Sequence, residues 1–471
     1  MNSGAQKSAS HGDGTRGAKI FHFKALLQSD GWISPAFVAA DGRGIIREIS
    51  GSNTKSESPV ELVNGYAVPG FQNAHSHAFQ YALAGMAENH DDHAEDDFWS
   101  WREAMYACAL TLDPAQMQAV ASMVYAEMLK RGYTHVAEFQ YLHHDKTGKP
   151  YDRLAEMSVS LVAAAAIAGI RITLIPVFYQ KGGFGKAAEP SQRRFCFRDV
   201  EQYLKMLDDC SGVVRNLSTA RLGFGVHSLR AADAADVIRI VQNGPADLPF
   251  HIHAAEQLKE VNDAVSYLRQ RPVEWLLNQL ELNERFHLIH CTHLTDDEVL
   301  RLAQSRAHVV LCPGTEANLG DGIFRLTDFA RHSRHWSIGT DSHISLNPLE
   351  DLRWLDYTQR LTSHRRSTFA GGASVLMKNT FFSGKKAMGV QARDFFEVGA
   401  PLDAVVYSGA SPLLNTAETE HLLPTLLYTA DGSSVAGTLV NGEWIAKEHH
   451  HKDEEMVLKD FQRVLKAISR K

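Results

Sequence analysis

The chain has 471 residues, of which 44% are hydrophobic and 22% are charged, and its formal net charge is −7 at pH 7. This composition is typical of a soluble globular protein, and the negative balance excludes an electrostatic basis for binding nucleic acid. No apolar run reaches the roughly 18 residues that a membrane helix needs, and the cysteines show no Cys-x-x-Cys spacing. We therefore expect a cytoplasmic protein with reduced thiols, and neither a membrane nor a nucleic acid as partner.

Both ends of the chain contain short runs that are typical of β-strands. A small, polar opening at residues 1–17 predicts a disordered tail. Residues 18–68 contain strand-like runs and turns without helical periodicity, and residues 385–448 contain similar strand-like runs at 404–407 and 437–445. Two strand-rich ends around a long middle predict one small β domain built from both, followed by a C-terminal helix or tail at residues 449–471.

The middle of the chain, residues 69–384, alternates apolar strand-like runs with amphipathic helical stretches. Alternating β and α segments imply a parallel sheet, and eight such runs predict a closed (β/α)8 barrel. In that fold the chemistry lies at the carboxyl ends of the strands. The runs are the strand that ends at His77 and those at residues 132–139, 171–177, 222–226, 249–253, 287–290, 309–312 and 337–341.

The first of these runs ends in His75-Ser76-His77, which places two imidazoles two residues apart. Side chains at that spacing share one face of a strand, so both rings can bind a single metal ion. An isolated His-x-His can equally be a pair of buried, hydrogen-bonded histidines. The metal-binding interpretation is favoured here because other strands also end in possible ligands.

The run at residues 249–253 ends in His253, and Glu256 follows three residues later. If the strand ends near His253, the next turn brings the carboxylate back over the metal, where it can carry protons. His251 lies on the same strand face and is the alternative ligand. We favour His253 because it is nearer to the end of the strand, and we expect His251 to be buried and hydrogen-bonded.

Two further strand ends carry an imidazole and a carboxylate. His290 lies at the end of its strand, whereas His293 lies beyond it and is better explained as a loop histidine. Asp341 ends an apolar strand, where a carboxylate without a nearby cation is costly to bury. A metal ion would explain that position. His343, two residues further on, is expected to be an ordinary surface or loop residue.

Taken together, these motifs resemble the amidohydrolase superfamily, in particular its metal-dependent deaminases. The resemblance rests on Pro-Gly-x-x-Asn-x-His-x-His, His-x-His-x-Ala-Glu, Leu-Ile-His-Cys-Thr-His and Gly-Thr-Asp-Ser-His. Longer runs are similar to the members that act on formimidoylglutamate, most densely over residues 66–365. These runs lie at residues 77–80, 98–102, 138–144, 192–195, 227–230, 271–276 and 315–322.

The resemblance implies a hydrolytic metal centre. Asp341 would accept a proton from the attacking water, Glu256 would carry protons to the imine nitrogen, and His290 would stabilise the tetrahedral intermediate. The implied reaction converts N-formimidoyl-L-glutamate to N-formyl-L-glutamate and ammonia, a step of histidine degradation. The implied cofactor is one Zn²⁺ ion, with iron or another divalent ion as alternatives. Its ligands would be His75, His77, His253 and Asp341.

A dicarboxylate substrate requires cations, and the planar guanidinium of arginine matches a carboxylate better than the ammonium of lysine does. Arg102 and Arg230 are therefore the candidates. Without the resemblance, Arg102 would be interpreted as a surface arginine stacked on an aromatic side chain. In the resembling members, the positions that line the substrate pocket match Gln80, Arg102, Tyr141, His227 and Arg230.

Two other functions remain open at this point. Another deaminase of the same superfamily, acting on guanine or an adenosine derivative, would share the metal ligands. A catalytically silent barrel with a structural role would have lost some of them, whereas every proposed ligand is present here. We also expect a homodimer, which is the commonest assembly of soluble enzymes.

Overall fold

The computed structural model describes residues 17–52, 58–86, 88 and 98–468. The tail predicted at residues 1–17 therefore lies outside the described residues, apart from Gly17. Within the described part, no helix is both long and apolar enough to cross a membrane. The five cysteines are all free thiols.

The secondary structure alternates strands and helices through the middle of the chain. The strands are β1 (Lys19–Gln28), β2 (Gly31–Ile33), β3 (Ala36–Ala40), β4 (Ile46–Ser50), β5 (Val60–Pro69), β6 (Phe71–Ser76), β7 (Tyr133–Gln140), β8 (Arg171–Phe178), β9 (Lys181–Gly183), β10 (Lys186–Ala187), β11 (Ala220–Leu222), β12 (Phe224–Ser228), β13 (Phe250–Ala254), β14 (Phe286–His290), β15 (His308–Leu311), β16 (Trp336–Ile338), β17 (Ala404–Ser408), β18 (Val435–Val440), β19 (Glu443–Lys447) and β20 (His450–His451).

The helices lie mostly between the strands of the middle region. They are α1 (Phe98–Ala109), α2 (Pro114–Lys130), α3 (Glu156–Ala168), α4 (Val200–Val214), α5 (Ala234–Asn243), α6 (Leu258–Leu268), α7 (Pro272–Gln279), α8 (Asp296–Gln304), α9 (Pro313–Asn318), α10 (Leu326–Ala330), α11 (Pro348–Ser363), α12 (Gly372–Ala387), α13 (Pro412–Thr416), α14 (Thr419–Thr429) and α15 (Glu454–Ile468).

Eight parallel strands form the barrel, in the order β6, β7, β8, β12, β13, β14, β15 and β16. Strands such as β7 and β13 are buried along their whole length, as a sheet covered on both faces requires. An isolated parallel bridge between Ser76 and Asp341 joins the first strand to the chain just after the last. The predicted (β/α)8 barrel is confirmed.

A second sheet is built from both ends of the chain. Its central contact is the antiparallel pairing of β17 with β5, in which Val405 lies opposite Val68. Strand β5 also pairs with β1 in parallel, and β18, β19 and β20 extend the sheet on the other side. The prediction that both ends contribute to one small β domain is confirmed. The C-terminal region contains the helix α15, whose Phe461 stacks on Tyr81 at 5.5 Å.

The amino-terminal ends of β13 to β16 carry a row of stacked histidines. The strand register places His251 of β13 beside His287 of β14, and His287 beside His308 of β15. Ring centroids are 4.7 Å apart between His251 and His287, 4.9 Å between His287 and His308, and 4.7 Å between His308 and His335. The end of α12 covers this row, because Ala387 O accepts a hydrogen bond from His251 Nε2 at 3.1 Å. His251 is therefore buried and hydrogen-bonded, as predicted.

Candidate active site

Four buried side chains converge at the carboxyl ends of the barrel strands. His75 Nε2 lies 3.1 Å from His77 Nε2 and 3.0 Å from His253 Nε2. Asp341 Oδ1 lies 3.2 Å from His77 Nε2 and 3.4 Å from His75 Nε2. All four ligand atoms are within 4.8 Å of one another. The structure thus brings together the four side chains that the sequence predicted as metal ligands.

The hydrogen bonds behind the rings show which nitrogens carry protons. His77 Nδ1 donates to Phe139 O at 2.9 Å, and His253 Nδ1 donates to His227 O at 2.9 Å. A carbonyl oxygen only accepts, so in each neutral ring the proton is on Nδ1 and Nε2 carries a lone pair. Two lone pairs and a carboxylate oxygen therefore face one point. Such a donor set fits a divalent cation and would otherwise be mutually repulsive.

The protonation states that burial favours are those that metal binding needs. Burial, followed by the charge of His77, lowers the pKa of His75 to about 3. Burial also holds the pKa of His253 well below its ordinary value. For Asp341, burial raises the pKa, but the adjacent imidazoles of His75 and His77 outweigh burial and hold the pKa well below the usual range. Neutral imidazoles and an ionised carboxylate are the forms that bind metal.

Backbone hydrogen bonds place Asp341 beside the histidine pair. Asp341 N donates to His75 O at 3.0 Å, and His77 N donates to Asp341 O at 3.2 Å. Asp341 has a φ of 50°, a left-handed conformation that is uncommon for a residue with a side chain. Strained backbone of this kind is concentrated at functional sites.

Glu256 and His290 face the same group of ligands. Strand β13 ends at Ala254, and Ala255, with a φ of 53°, turns the chain so that Glu256 returns toward the barrel axis. His290 Nε2 lies 3.7 Å from Glu256 Oε1 and 3.8 Å from Asp341 Oδ2. The turn that the sequence predicted after His253 is present.

His290 is surrounded by carboxylates. Burial lowers its pKa, but the charges of Glu256 and Asp341 and a hydrogen bond to Glu316 outweigh burial and raise the pKa to about 10. The ring also stacks on His253, with centroids 5.4 Å apart and planes 11° apart. A cationic imidazole at this position can stabilise negative charge that develops beside it.

One cavity connects this centre with the predicted substrate-binding residues. Gln80 Nε2 donates to Tyr141 Oη at 2.9 Å, and the ring of Tyr141 contacts that of His227 edge-on at 5.2 Å. The cavity also has aromatic walls, formed by side chains of α1 and the β8 end. The predicted residues that line it are His77, His253, Asp341, Glu256, Gln80, Arg102, Tyr141, His227 and Arg230.

The two arginines of the cavity have different surroundings. Arg230 is paired with two carboxylates: its Nη2 lies 3.2 Å from Glu256 Oε2 and its Nη1 lies 3.3 Å from Glu260 Oε2. Arg102 stacks on aromatic rings, with its guanidinium carbon 4.5 Å from the centre of Trp99 and 5.3 Å from that of Tyr106. Its Nε is buried and has no hydrogen-bond partner among the described residues. Arg102 therefore combines the stacking predicted for a surface arginine with a position in the cavity.

Three buried carboxylates support the site and were not identified from the sequence. Glu260 Oε2 accepts a hydrogen bond from Glu256 N at 3.0 Å. Glu316 Oε1 lies 3.2 Å from His290 Nδ1. Glu138 accepts from Ala78 N at 2.7 Å, beside His77. Glu138 and Glu316 lie in runs that carry the family resemblance, and Glu260 follows Glu256 by four residues, but the sequence analysis assigned a role to none of the three.

His343 differs from the expectation. It was predicted to be an ordinary surface or loop residue, but its side chain is buried. Its Nδ1 lies 2.8 Å from Thr340 Oγ1, and its Nε2 lies 3.3 Å from Ser76 Oγ. The residue is in a loop, but that loop folds back under the metal-ligand candidates, and such a contact cannot be deduced from spacing alone.

The comparisons with known proteins agree with this architecture. Residues 66–445 match the model of the amidohydrolase family. The chain is 39% identical over 451 residues to formimidoylglutamate deiminase of Pseudomonas aeruginosa, which covers 95% of this chain and 98% of the relative. It is 24% identical over 417 residues to 5-methylthioadenosine/S-adenosylhomocysteine deaminase of Haloarcula marismortui, covering 87% of this chain and 88% of the relative.

A solved structure is similar over nearly the whole chain. It is described as an amidohydrolase from Brucella melitensis, with a TM-score of 0.88 and 36% sequence identity. The match covers 96% of this chain and 100% of that one. The similarity therefore includes the small sheet as well as the barrel.

Proposed function

Because this chain belongs to the amidohydrolase family, we propose that it is a metal-dependent deiminase that hydrolyses N-formimidoyl-L-glutamate to N-formyl-L-glutamate and ammonia. One observation carries the proposal. A single cavity is lined by candidate metal ligands, by the candidate proton carrier Glu256, and by Arg102 and Arg230. The name of the Pseudomonas aeruginosa relative, 39% identical over 95% of this chain, supports the same substrate.

We propose that His75, His77, His253 and Asp341 hold one divalent cation, and that this cation is zinc. Three imidazole nitrogens and one carboxylate oxygen form a donor set that zinc favours, although iron also accepts it. A bound divalent cation lowers the pKa of water toward 7 and so supplies a hydroxide-like nucleophile at neutral pH. The proton transfers and the stabilisation of charge are carried out by side chains of this protein.

The proposed reaction begins with attack by water on the formimidoyl carbon. Asp341 takes a proton from that water. Glu256 delivers protons to the imine nitrogen, which leaves as ammonia when the tetrahedral intermediate collapses. His290, whose Nε2 lies between Glu256 and Asp341, stabilises the charge of that intermediate. Each role requires a group within reach of one reacting carbon, and the distances from His290 Nε2 to Glu256 Oε1 (3.7 Å) and Asp341 Oδ2 (3.8 Å) support these assignments.

The substrate's two carboxylates would meet the two arginines of the cavity. Arg230 is shared between Glu256 and Glu260. A substrate carboxylate that binds Arg230 therefore competes with Glu256 for it. Arg102 forms no ion pair with any residue that the structure describes, so its charge is available to the second carboxylate. Aromatic side chains around Arg102 exclude water and strengthen that contact.

The proposal is tested by measuring ammonia release from N-formimidoyl-L-glutamate, guanine and 5′-methylthioadenosine with one preparation of metal-replete enzyme. We expect turnover of the first compound only. Turnover of a purine and not of N-formimidoyl-L-glutamate would replace this proposal with a purine deaminase.

We further propose that the enzyme acts in histidine degradation, in the cytoplasm and as a homodimer. Light scattering of the purified protein tests the assembly.

A further inference from the structure

Glu316 lies behind His290, in a sequence run that has no role in the chemistry described so far. It belongs to the first turn of α9, the short helix that follows β15. Its side chain is buried, with 5% of its surface exposed. A single carboxylate oxygen, Oε1, accepts two hydrogen bonds, one from Cys312 N at 2.8 Å and one from His290 Nδ1 at 3.2 Å.

The ring of His290 depends on few other contacts for its orientation. Its backbone is left-handed, with a φ of 68°, so it leaves the strand at an unusual angle. One face stacks on His253. Stacking fixes the plane of an imidazole but not its rotation within that plane. The hydrogen bond from Nδ1 to Glu316 fixes the rotation, and it turns Nε2 toward the gap between Glu256 and Asp341.

The opposite nitrogen, Nε2, is close to two carboxylates, at 3.7 Å from Glu256 Oε1 and 3.8 Å from Asp341 Oδ2, but neither is within hydrogen-bond distance. His290 Nε2 is buried and makes no hydrogen bond within the described part of the chain. A buried polar atom without a partner is costly unless a ligand satisfies it. The reacting group of a substrate would lie beside this atom, close to both Glu256 and Asp341.

We propose that Glu316 is a positioning residue for the reaction and acts through His290. The inference rests on the proposed function, because it assigns His290 to the reacting group. A purely structural alternative exists, since Glu316 also accepts from the N-cap residue Cys312 and helps to start α9. The two roles differ in what they predict: a structural residue changes stability, whereas a positioning residue changes kcat through one specific partner.

The first test compares Glu316→Ala and Glu316→Gln with wild type. Side chains that orient the ligands of a metal centre contribute on the order of 10–100-fold to activity, and we expect a similar factor for a side chain that orients His290. We expect Glu316→Ala to lose about that factor in kcat, with KM and bound metal nearly unchanged. Glutamine retains an acceptor for both donors, so Glu316→Gln should recover part of the loss. Wild-type kcat in Glu316→Ala would overturn the proposal.

A matched control separates helix capping from positioning. Gln116 makes a similar contact in α2, three residues after the N-cap rather than four: its Oε1 accepts from the N-cap Asp113 N at 3.0 Å. Gln116→Ala removes this capping contact at a residue that does not line the cavity. It should lower thermal stability while leaving kcat unchanged. A loss of kcat in Gln116→Ala as large as in Glu316→Ala would overturn the specific role of Glu316.

A double-mutant cycle with His290→Ala gives the decisive result. If Glu316 acts through His290, removing Glu316 from the His290→Ala enzyme has no further effect on kcat. Multiplied losses in the double variant would overturn the proposal. If Glu316→Ala does not fold, the same cycle with Glu316→Gln decides the question by the same criterion.

A crystal structure of Glu316→Ala provides a readout that does not depend on activity. We expect the His290 ring to leave its orientation, and an unchanged ring would overturn the proposal. The proposed function and the role of Glu316 can be refuted separately. Wild-type enzyme that does not hydrolyse N-formimidoyl-L-glutamate refutes the proposed function, whereas active wild type with an unaffected Glu316→Ala variant refutes the role of Glu316 alone.

Discussion

Arg230 Nη2 lies 3.2 Å from Glu256 Oε2, so the cation proposed to bind substrate is paired with the carboxylate proposed to carry protons. The same guanidinium also contacts Glu260, whose other hydrogen bond comes from Glu256 N. The proposed roles of these two residues, in substrate binding and in proton transfer, are therefore linked through one ion pair. A carboxylate of the substrate would compete for Arg230 and leave Glu256 free to act at the imine nitrogen.

Glu256→Gln should retain the metal but lose about 10²–10⁴-fold in kcat, which is the usual contribution of a general acid or base. Glutamine is similar in size and can still accept a hydrogen bond from Arg230, so the cavity should keep its shape. The measurement is kcat together with metal content per chain. Activity within a factor of about two of wild type would remove Glu256 from the mechanism.

Arg102→Met and Arg230→Met should differ in their kinetic effects. Arg102 forms no ion pair within the described residues, so its loss should mainly raise KM. Arg230 also contacts Glu256, so its loss should raise KM and lower kcat. Hydrogen bonds to charged groups contribute about 1.5–3 kcal/mol each, or roughly 10–150-fold in kcat/KM.

The control for these two variants is Arg239→Met. Arg239 is an exposed arginine that pairs with Asp236 and Glu201 on the outside of the barrel. It should have wild-type kinetics. Unchanged kcat/KM in both cavity variants would contradict the assignment of the arginines to the substrate's carboxylates.

Removing the metal should abolish activity and lower the thermal unfolding temperature. A metal ion that binds only the folded protein stabilises it, and the four buried side chains that face one another repel when the cation is removed.

His253→Ala should bind less than a tenth of the metal of wild type, whereas His251→Gln, on the same strand face, should bind a full equivalent. Equal metal content in both variants, measured by elemental analysis, would refute the choice of His253.

Acid should destabilise the protein partly through His308. Burial, followed by the charge of His335, lowers the pKa of His308 from 6.5 to about 3. His308 therefore takes up a proton less readily in the folded state than in the unfolded state. Stability contributed by neutral His308 is present above pH 6.5 and is lost as the pH falls from 6.5 toward 3.

The variant His308→Phe tests this effect, since phenylalanine can stack but cannot take up a proton. Between pH 7.5 and 5, wild type should lose ~2 kcal/mol more unfolding free energy than the variant. Urea unfolding at both pH values measures the difference. Equal losses would show that His308 is already protonated in the folded state or is not buried as described.

The barrel and its metal-ligand candidates could be predicted because they depend on local patterns. The eight apolar runs correspond to strands, and a ligand at a strand's carboxyl end is placed by the fold itself. His253 could be preferred over His251 from its position in the strand alone. In the structure His251 is buried and bonds Ala387 O on α12, and the choice of His253 as ligand stays a prediction.

Two of the supporting carboxylates could not be predicted from residue spacing, because their contacts join distant segments. Glu316 reaches His290 across 26 positions of the chain, and Glu138 reaches Ala78 across 60. His343 was misjudged for the same reason: its loop looks ordinary in sequence, and only the fold brings it to Ser76. Likewise, the pairing of Arg230 with Glu256 depends on side-chain geometry, which residue spacing does not determine.

The most direct test of the central claim is to identify the product formed from N-formimidoyl-L-glutamate labelled with ¹³C at the formimidoyl carbon. Attack at that carbon with loss of the imine nitrogen predicts that the label appears in N-formyl-L-glutamate, with one equivalent of ammonia. Carbon NMR of the reaction mixture distinguishes this compound from formamide. Labelled formamide with free glutamate, or no reaction by metal-replete enzyme, would contradict the account.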